Sequence, residues 1–192
     1  APQFDEELSK RIADAYDAMP HAPNDPNVRK AYDALTEETM RQYEFLKAEG
    51  YRMVPAHLDK SYSSAAAMIE DLDANKRLYV YKSILDTEKS FGKGTEEYLS
   101  ENLLLRKTGE VLTDAYGNPY EVTVNDVFRF VHDVFGHASD GVTFGPKGEE
   151  RAWLSHASMF SREALPAMTS ETRGQNSWVN SGAHLRRADG SL

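Results

Sequence analysis

The chain has 192 residues, 40% of them hydrophobic and 28% charged, with 22 Lys and Arg against 31 Asp and Glu for a net charge of −9. This length suits a single domain with a real core and an enclosed site, and the acidic balance argues against general nucleic-acid binding. There is no cysteine, which excludes disulfides, iron–sulfur clusters, Cys-based zinc sites and thiol nucleophiles, so a metal would have to be held by His, Asp or Glu.

No apolar run approaches the roughly 18–20 residues of a membrane span. The acidic opening Phe4-Asp5-Glu6-Glu7 does not read as a secretory signal. The expectation is a soluble, cytoplasmic protein with no membrane partner.

Taken in chain order, Leu8, Ile12, Tyr16 and Met19 recur at helical steps. A loop follows from Pro20 to Pro26, and Asp25 with Pro26 makes a good start for a second helix. Val28, Tyr32, Leu35, Thr39, Tyr43 and Leu46 form its apolar stripe up to Gly50. Residues 1–50 are therefore expected to form an antiparallel helical hairpin over a core. Residues 51–123 are read as mixed strands and helix. Tyr51 to Val54 predicts a strand stopped by Pro55, Ser61 to Asn75 a helix, and Leu78 to Tyr81 a second strand. Ser90 to Thr95, with Gly92 and Gly94, reads as a loop. Glu110–Thr113 and Tyr120–Thr123 flank Tyr116-Gly117-Asn118-Pro119, which predicts a hairpin. Residues 124–192 are expected to be helices that carry the site. Asn125 is a candidate cap for a helix to about Ala138, a second helix starts near Lys147 and passes Phe160, and Pro166 breaks or kinks it. The fold class is a mostly helical single α+β domain with short strands, its metal site between two C-terminal helices.

The chemistry concentrates in Asn125 to Ala138. His132 and His137 sit five apart on an otherwise apolar segment, and neutral imidazole is the commonest transition-metal ligand. Residues five apart lie about 140° apart on a regular helix. The rings converge only if Gly136 or a π-bulge distorts the helix there. The zinc-protease pattern needs His at four-residue spacing followed by Glu, which this segment lacks.

His132-Asp133-Val134-Phe135-Gly136-His137, after apolar Phe130-Val131, resembles the iron-binding helix of the aromatic amino acid hydroxylases. The resemblance covers about six to eight residues. It implies that both histidines bind a non-haem ferrous ion, completed by a Glu from a later helix into a two-His-one-carboxylate face. The family's Pro-rich continuation after the second His is replaced here by Ala138-Ser139-Asp140-Gly141, and its catalytic domain is longer. Both departures argue against a pterin cofactor and an aromatic substrate. The remainder of the chain resembles uncharacterised bacteriophage and bacterial proteins, which implies a place in a host cytoplasm or a virion.

The carboxylate is sought in Lys147 to Phe160. Glu149, Trp153, His156 and Phe160 are spaced 4, 3 and 4 and share an apolar helical face. Glu149 is thus the preferred ligand, with Glu150 about 100° away and nearer solvent. Equally, both acids suit a helix N-terminus without any metal. His156 is open between a fourth ligand, a partner that supports a ligand, and a satisfied core histidine. Asp133 either orients a ligand imidazole or stays on the surface. Trp153 and Phe135 are expected to wall the pocket. Arg173, in polar Thr169 to Asn180, is a candidate clamp for a substrate carboxylate.

The leading expectation is a non-haem metalloenzyme with Fe(II), or else zinc, acting on a small molecule as a hydroxylase or oxygenase. His132, His137 and Glu149 bind the metal, while Asp133, His156 and Arg173 assist. One alternative is an HD-type phosphohydrolase built on His132-Asp133, for which His57 is the upstream histidine. Another is a non-enzymatic phage accessory protein with a structural metal, for which four closed ligands are usual.

Overall fold

The computed structural model describes residues 4–85 and 102–191, and the loop expected at Ser90 to Thr95 lies outside them. Among the described residues are seven α-helices and two two-stranded sheets. They form the mostly helical α+β arrangement that the periodicities imply.

The chain opens with α1 (Glu6–Asp17), capped by Asp5, and α2 (Pro26–Ala48), capped by Asp25 with Pro26 in its first turn. Both expected helices are present, and each packs on elements from the end of the chain. Strand β1 (Arg52–Ala56) pairs in parallel with β2 (Arg77–Tyr81), Met53 opposite Leu78 and Pro55 opposite Val80. The strand runs through Pro55 rather than stopping there. Pro55 has no N–H to lose from the ladder, and its carbonyl accepts from Ala115 N–H at 2.9 Å on the far side. Between the strands lies α3 (Ala65–Asn75), capped by Ser64.

Strands β3 (Lys107–Thr113) and β4 (Pro119–Thr123) form the expected antiparallel hairpin, with Leu112 opposite Tyr120. Gly117 turns the chain at φ +85°, a conformation that costs glycine little. Asp114 organises this turn by accepting from Tyr116 and Asn118 N–H, and it pairs with buried Lys82 at 2.7 Å. The Lys82 contact, aided by those two N–H groups, overcomes the effect of burial and holds the Asp114 carboxyl at about 2.

Helix α4 (Val124–His132) begins directly after β4. Its cap is Thr123, not Asn125. Thr123 and Asp126 make a reciprocal capping box, which satisfies two otherwise orphaned N–H donors. Asp126 is buried, and it also accepts from the Ser83 hydroxyl and N–H and from the Tyr120 hydroxyl. These bonds pin the start of α4 to both sheets. A π-helical segment, Asp133–Ala138, continues α4. Then come α5 (Pro146–Ala157) and α6 (Leu165–Thr169), in which Pro166 sits in the first turn and starts a helix rather than breaking one. A π turn (Ser170–Gly174) leads into α7 (Gln175–Ser181).

Two apolar clusters meet at α4. Val127, Phe130 and Val131 face Tyr43, Leu46, Met53, Leu78 and Val80, and Phe130 is fully buried. Val124 and Phe128 face Leu35, Phe160 and Met168. Burial of each such side chain contributes roughly 1.5–3 kcal/mol, so α4 is a well-anchored platform for the residues at its end. Helix α1 lies along α7, held by the buried Ser9–Ser181 hydroxyl pair at 2.9 Å and by Arg186 across Asp14. No helix among the described residues is long and apolar enough to cross a membrane.

Candidate metal centre

Histidines five apart do not share a face of a regular α-helix. Here α4 ends at His132, and the backbone widens into the π segment that carries His137. Ser139 N–H bonds Val134 carbonyl at 3.0 Å, the five-residue closure of a π turn. The two imidazoles therefore meet edge to face, with ring centroids 5.3 Å apart. Small Gly136 lets this segment approach α5. A Cβ there would lie 3.1 Å from Ala152 carbonyl and 3.2 Å from His132 Cε1.

Glu149 comes from the first turn of α5. The chain enters that helix so tightly that a Cβ on Gly148 would fall 1.8 Å from Thr143 carbonyl oxygen. The Glu149 Oε2 lies 3.3 Å from His137 Nε2 and 3.8 Å from His132 Nε2. One ligand atom from each of His132, His137 and Glu149 fits within a span of 4.8 Å, and these three are the group among the described residues suited to holding a metal ion.

The far nitrogens are also occupied. His137 Nδ1 faces Val142 carbonyl at 3.4 Å, which only accepts, so Nδ1 carries a proton and Nε2 is the nitrogen turned to Glu149. His132 Nδ1 lies 3.1 Å from His156 Nδ1. Two imidazole Nε2 atoms and one carboxylate is a donor set for zinc or ferrous iron. Its electrostatics suit a cation. Burial alone would raise the Glu149 carboxyl, but hydrogen bonds and charge from His132 and His137 hold it down at about 2. Burial works to lower His137, and its contact with Glu149 outweighs this and raises it.

His156 is fully buried and does not join the three donors. It supports His132 from behind, and its own Nε2 lies 2.7 Å from Gln42 Oε1. Burial, and then the proximity of His132, push its pKa well down, so it is neutral. Gln42 on α2 was not evident from the pattern at the end of the chain. The signal that marks it is local: Gln42 lies seven residues after Leu35 and four before Leu46, a polar group on the apolar face of α2.

Asp133 lies beside the donors and lines the cleft in front of them. Burial pushes its carboxyl up, opposed by His132 and His137, and among the described residues it accepts no hydrogen bond. The cleft has a volume of about 660 Å³ and is open to His132 and Glu149, with Phe128 and Phe144 on its walls. Trp153 and Phe135, expected as walls, are elsewhere. Trp153 packs on the second apolar cluster and donates to the Thr169 hydroxyl, and Phe135 packs against His156.

Glu150 diverges from Glu149 and pairs with Arg173 at 2.5 Å. Its side chain is partly buried, at 27% exposure against 23% for Glu149. The Arg173 guanidinium also stacks over Trp153 at 4.5 Å, beside a smaller cavity behind Glu149. His57 lines the cleft, its ring tilted against Tyr116 at 4.7 Å, and takes no part in the donor group.

No protein family, curated protein or solved structure matches this chain.

Proposed function

We propose that the protein is a non-haem iron enzyme, an oxygenase or hydroxylase that acts on a small molecule in the cleft beside α4. One observation carries this: His132, His137 and Glu149 present three donor atoms from one side, with both rear Nδ1 atoms engaged, at the edge of an open cleft. Three protein donors leave coordination positions for exogenous ligands, whereas a structural zinc site usually closes all four. When bound there, ferrous iron would supply one-electron and oxygen chemistry.

The chain's own residues then hold and place the reactants. His132 and His137 would offer Nε2 to the metal with Nδ1 engaged behind, and Glu149 would supply the negative charge. Phe128 and Phe144 exclude water from the cleft wall. A small acid would meet Lys60, which lines the same cleft, whereas Arg173 pairs with Glu150 and stacks over Trp153. A pterin forms no part of the proposal, and zinc is the alternative metal. The HD-type phosphohydrolase is disfavoured, since it requires Asp133 as a metal donor and the converging group uses Glu149 instead.

The test is anaerobic loading with ferrous iron followed by nitric oxide, which occupies open positions as an oxygen surrogate. The proposal expects one iron per chain and the electron paramagnetic resonance signature of a high-spin iron–nitrosyl centre. Iron that binds stoichiometrically without a nitrosyl signal would contradict the oxygenase assignment and favour a closed structural site.

A further inference from the structure

We propose that Gln42, far from the site in sequence, is a positioning residue for the metal centre, setting through His156 the tautomer of His132 that leaves Nε2 free. This rests on the metal assignment above.

A neutral imidazole carries one proton on one of its two nitrogens. If His132 binds metal through Nε2, its proton must sit on Nδ1 and point at His156 Nδ1, 3.1 Å away. His156 Nδ1 must then accept, which places the His156 proton on Nε2. That proton points at Gln42 Oε1, 2.7 Å away. An amide oxygen only accepts, so Gln42 gives the row its direction. The opposite amide orientation would reverse every step. Its NH2 would donate to His156 Nε2, His156 would donate to His132 Nδ1, and the His132 proton would sit on Nε2, where the metal belongs.

The surroundings keep water from replacing these bonds. His156 is fully buried, and the rings of Phe128, Phe135 and Phe160 lie 5.9, 6.2 and 4.8 Å from it. Gln42 is 8% exposed, and its amide nitrogen is buried without a hydrogen-bond partner. The bond that Gln42 makes to the site is thus the one through its oxygen. Placing a polar group on the apolar face of α2 and leaving its donor unsatisfied is unfavourable for folding alone, which agrees with a role at the site.

The experiment uses the full chain with 15N-labelled histidine, loaded with zinc alone. Nitrogen NMR should show His156 protonated at Nε2 and His132 at Nδ1. Gln42→Met keeps the length of the side chain but cannot accept a hydrogen bond. It should lower zinc affinity about 10–100-fold, the usual effect of removing a residue that orients a ligand, and release the His156 tautomer. Gln42→Glu restores an acceptor and should recover both the tautomer and most of the affinity. Wild-type protein that binds zinc with His156 protonated at Nδ1 would overturn the proposal without any variant. So would Gln42→Met with unchanged affinity and tautomers, and in both cases the metal assignment would stand. Failure of the wild type to take up zinc or iron would overturn both.

Discussion

Glu149 and Glu150 are consecutive acids about 100° apart on α5, and their partners separate them. Glu149 faces His132 and His137, whereas Glu150 faces Arg173. Glu149→Gln should lower metal affinity by more than the roughly 10–100-fold typical of losing a residue that only supports a ligand. Glu150→Gln should leave metal affinity near wild type and cost about 1 kcal/mol or less in stability, because its ion pair is partly exposed. Metal titration and denaturant unfolding of the two variants check this pair of outcomes. Equal losses of affinity would mean that the two carboxylates are not distinguished as their contacts imply. The converging group was legible because all three residues lie in one short stretch of sequence, and the helical spacing of Glu149 with His156 and Phe160 favoured the acid that faces the two histidines. Gln42 was not, because it sits more than a hundred positions before His156 in a helix whose stripe otherwise reads as plain core. Arg173 was read as free to bind substrate, since nothing in the sequence shows that Glu150 and Trp153 occupy it.

At the scale of elements, the π segment is what brings a mismatched pair of histidines together. The five-residue spacing itself demanded a distortion, and Asp133–Ala138 supplies it. Gly136→Ala tests how closely the segment and α5 must pack. The added methyl would press on Ala152 and on the His132 ring at 3.1–3.2 Å. Overpacking of this kind costs about 1–3 kcal/mol, and at about 2–4 °C per kcal/mol for a chain of this size the melting temperature should fall measurably. Metal affinity should fall with it, because the ring that moves is one of the proposed ligands. A variant with unchanged melting temperature and metal binding would show that the contact is slack. Element identities were largely legible from periodicity, and the ends were not. Thr123 rather than Asn125 caps α4 because the reciprocal bond with Asp126 depends on β4 leading straight into the helix. Strand β1 passes through Pro55 because its outer edge meets the hairpin at Ala115, a contact between segments distant in sequence.

For the whole molecule, protons and metal compete for the same groups, and the direction of the competition follows from the shifts. The His137 pKa is raised above its ordinary value of 6.5, so its pairing with Glu149 stabilises the metal-free fold fully below that value and is lost as pH rises through the raised one. The Glu149 pKa is lowered from 4.5 to about 2, so its contribution is present above 4.5 and is lost as pH falls through about 2. The metal-free triad is thus most stabilising in mildly acidic solution. Metal needs His137 unprotonated, so the stabilisation that metal adds should be small near pH 5.5 and grow toward pH 8, reaching about 2.7 kcal/mol when free metal is a hundred times its Kd. Melting temperatures with chelator and with zinc across that range check this, and an increment independent of pH would contradict it. The central claim is that one metal ion is held jointly by His132, His137 and Glu149. Equilibrium dialysis against ferrous iron without oxygen, followed by metal analysis of wild type, His132→Ala and His137→Ala, tests it most directly. The predicted result is one iron per wild-type chain and little in either variant, with helical circular dichroism retained in all three. Stoichiometric iron in both variants, or none in the wild type, would contradict it.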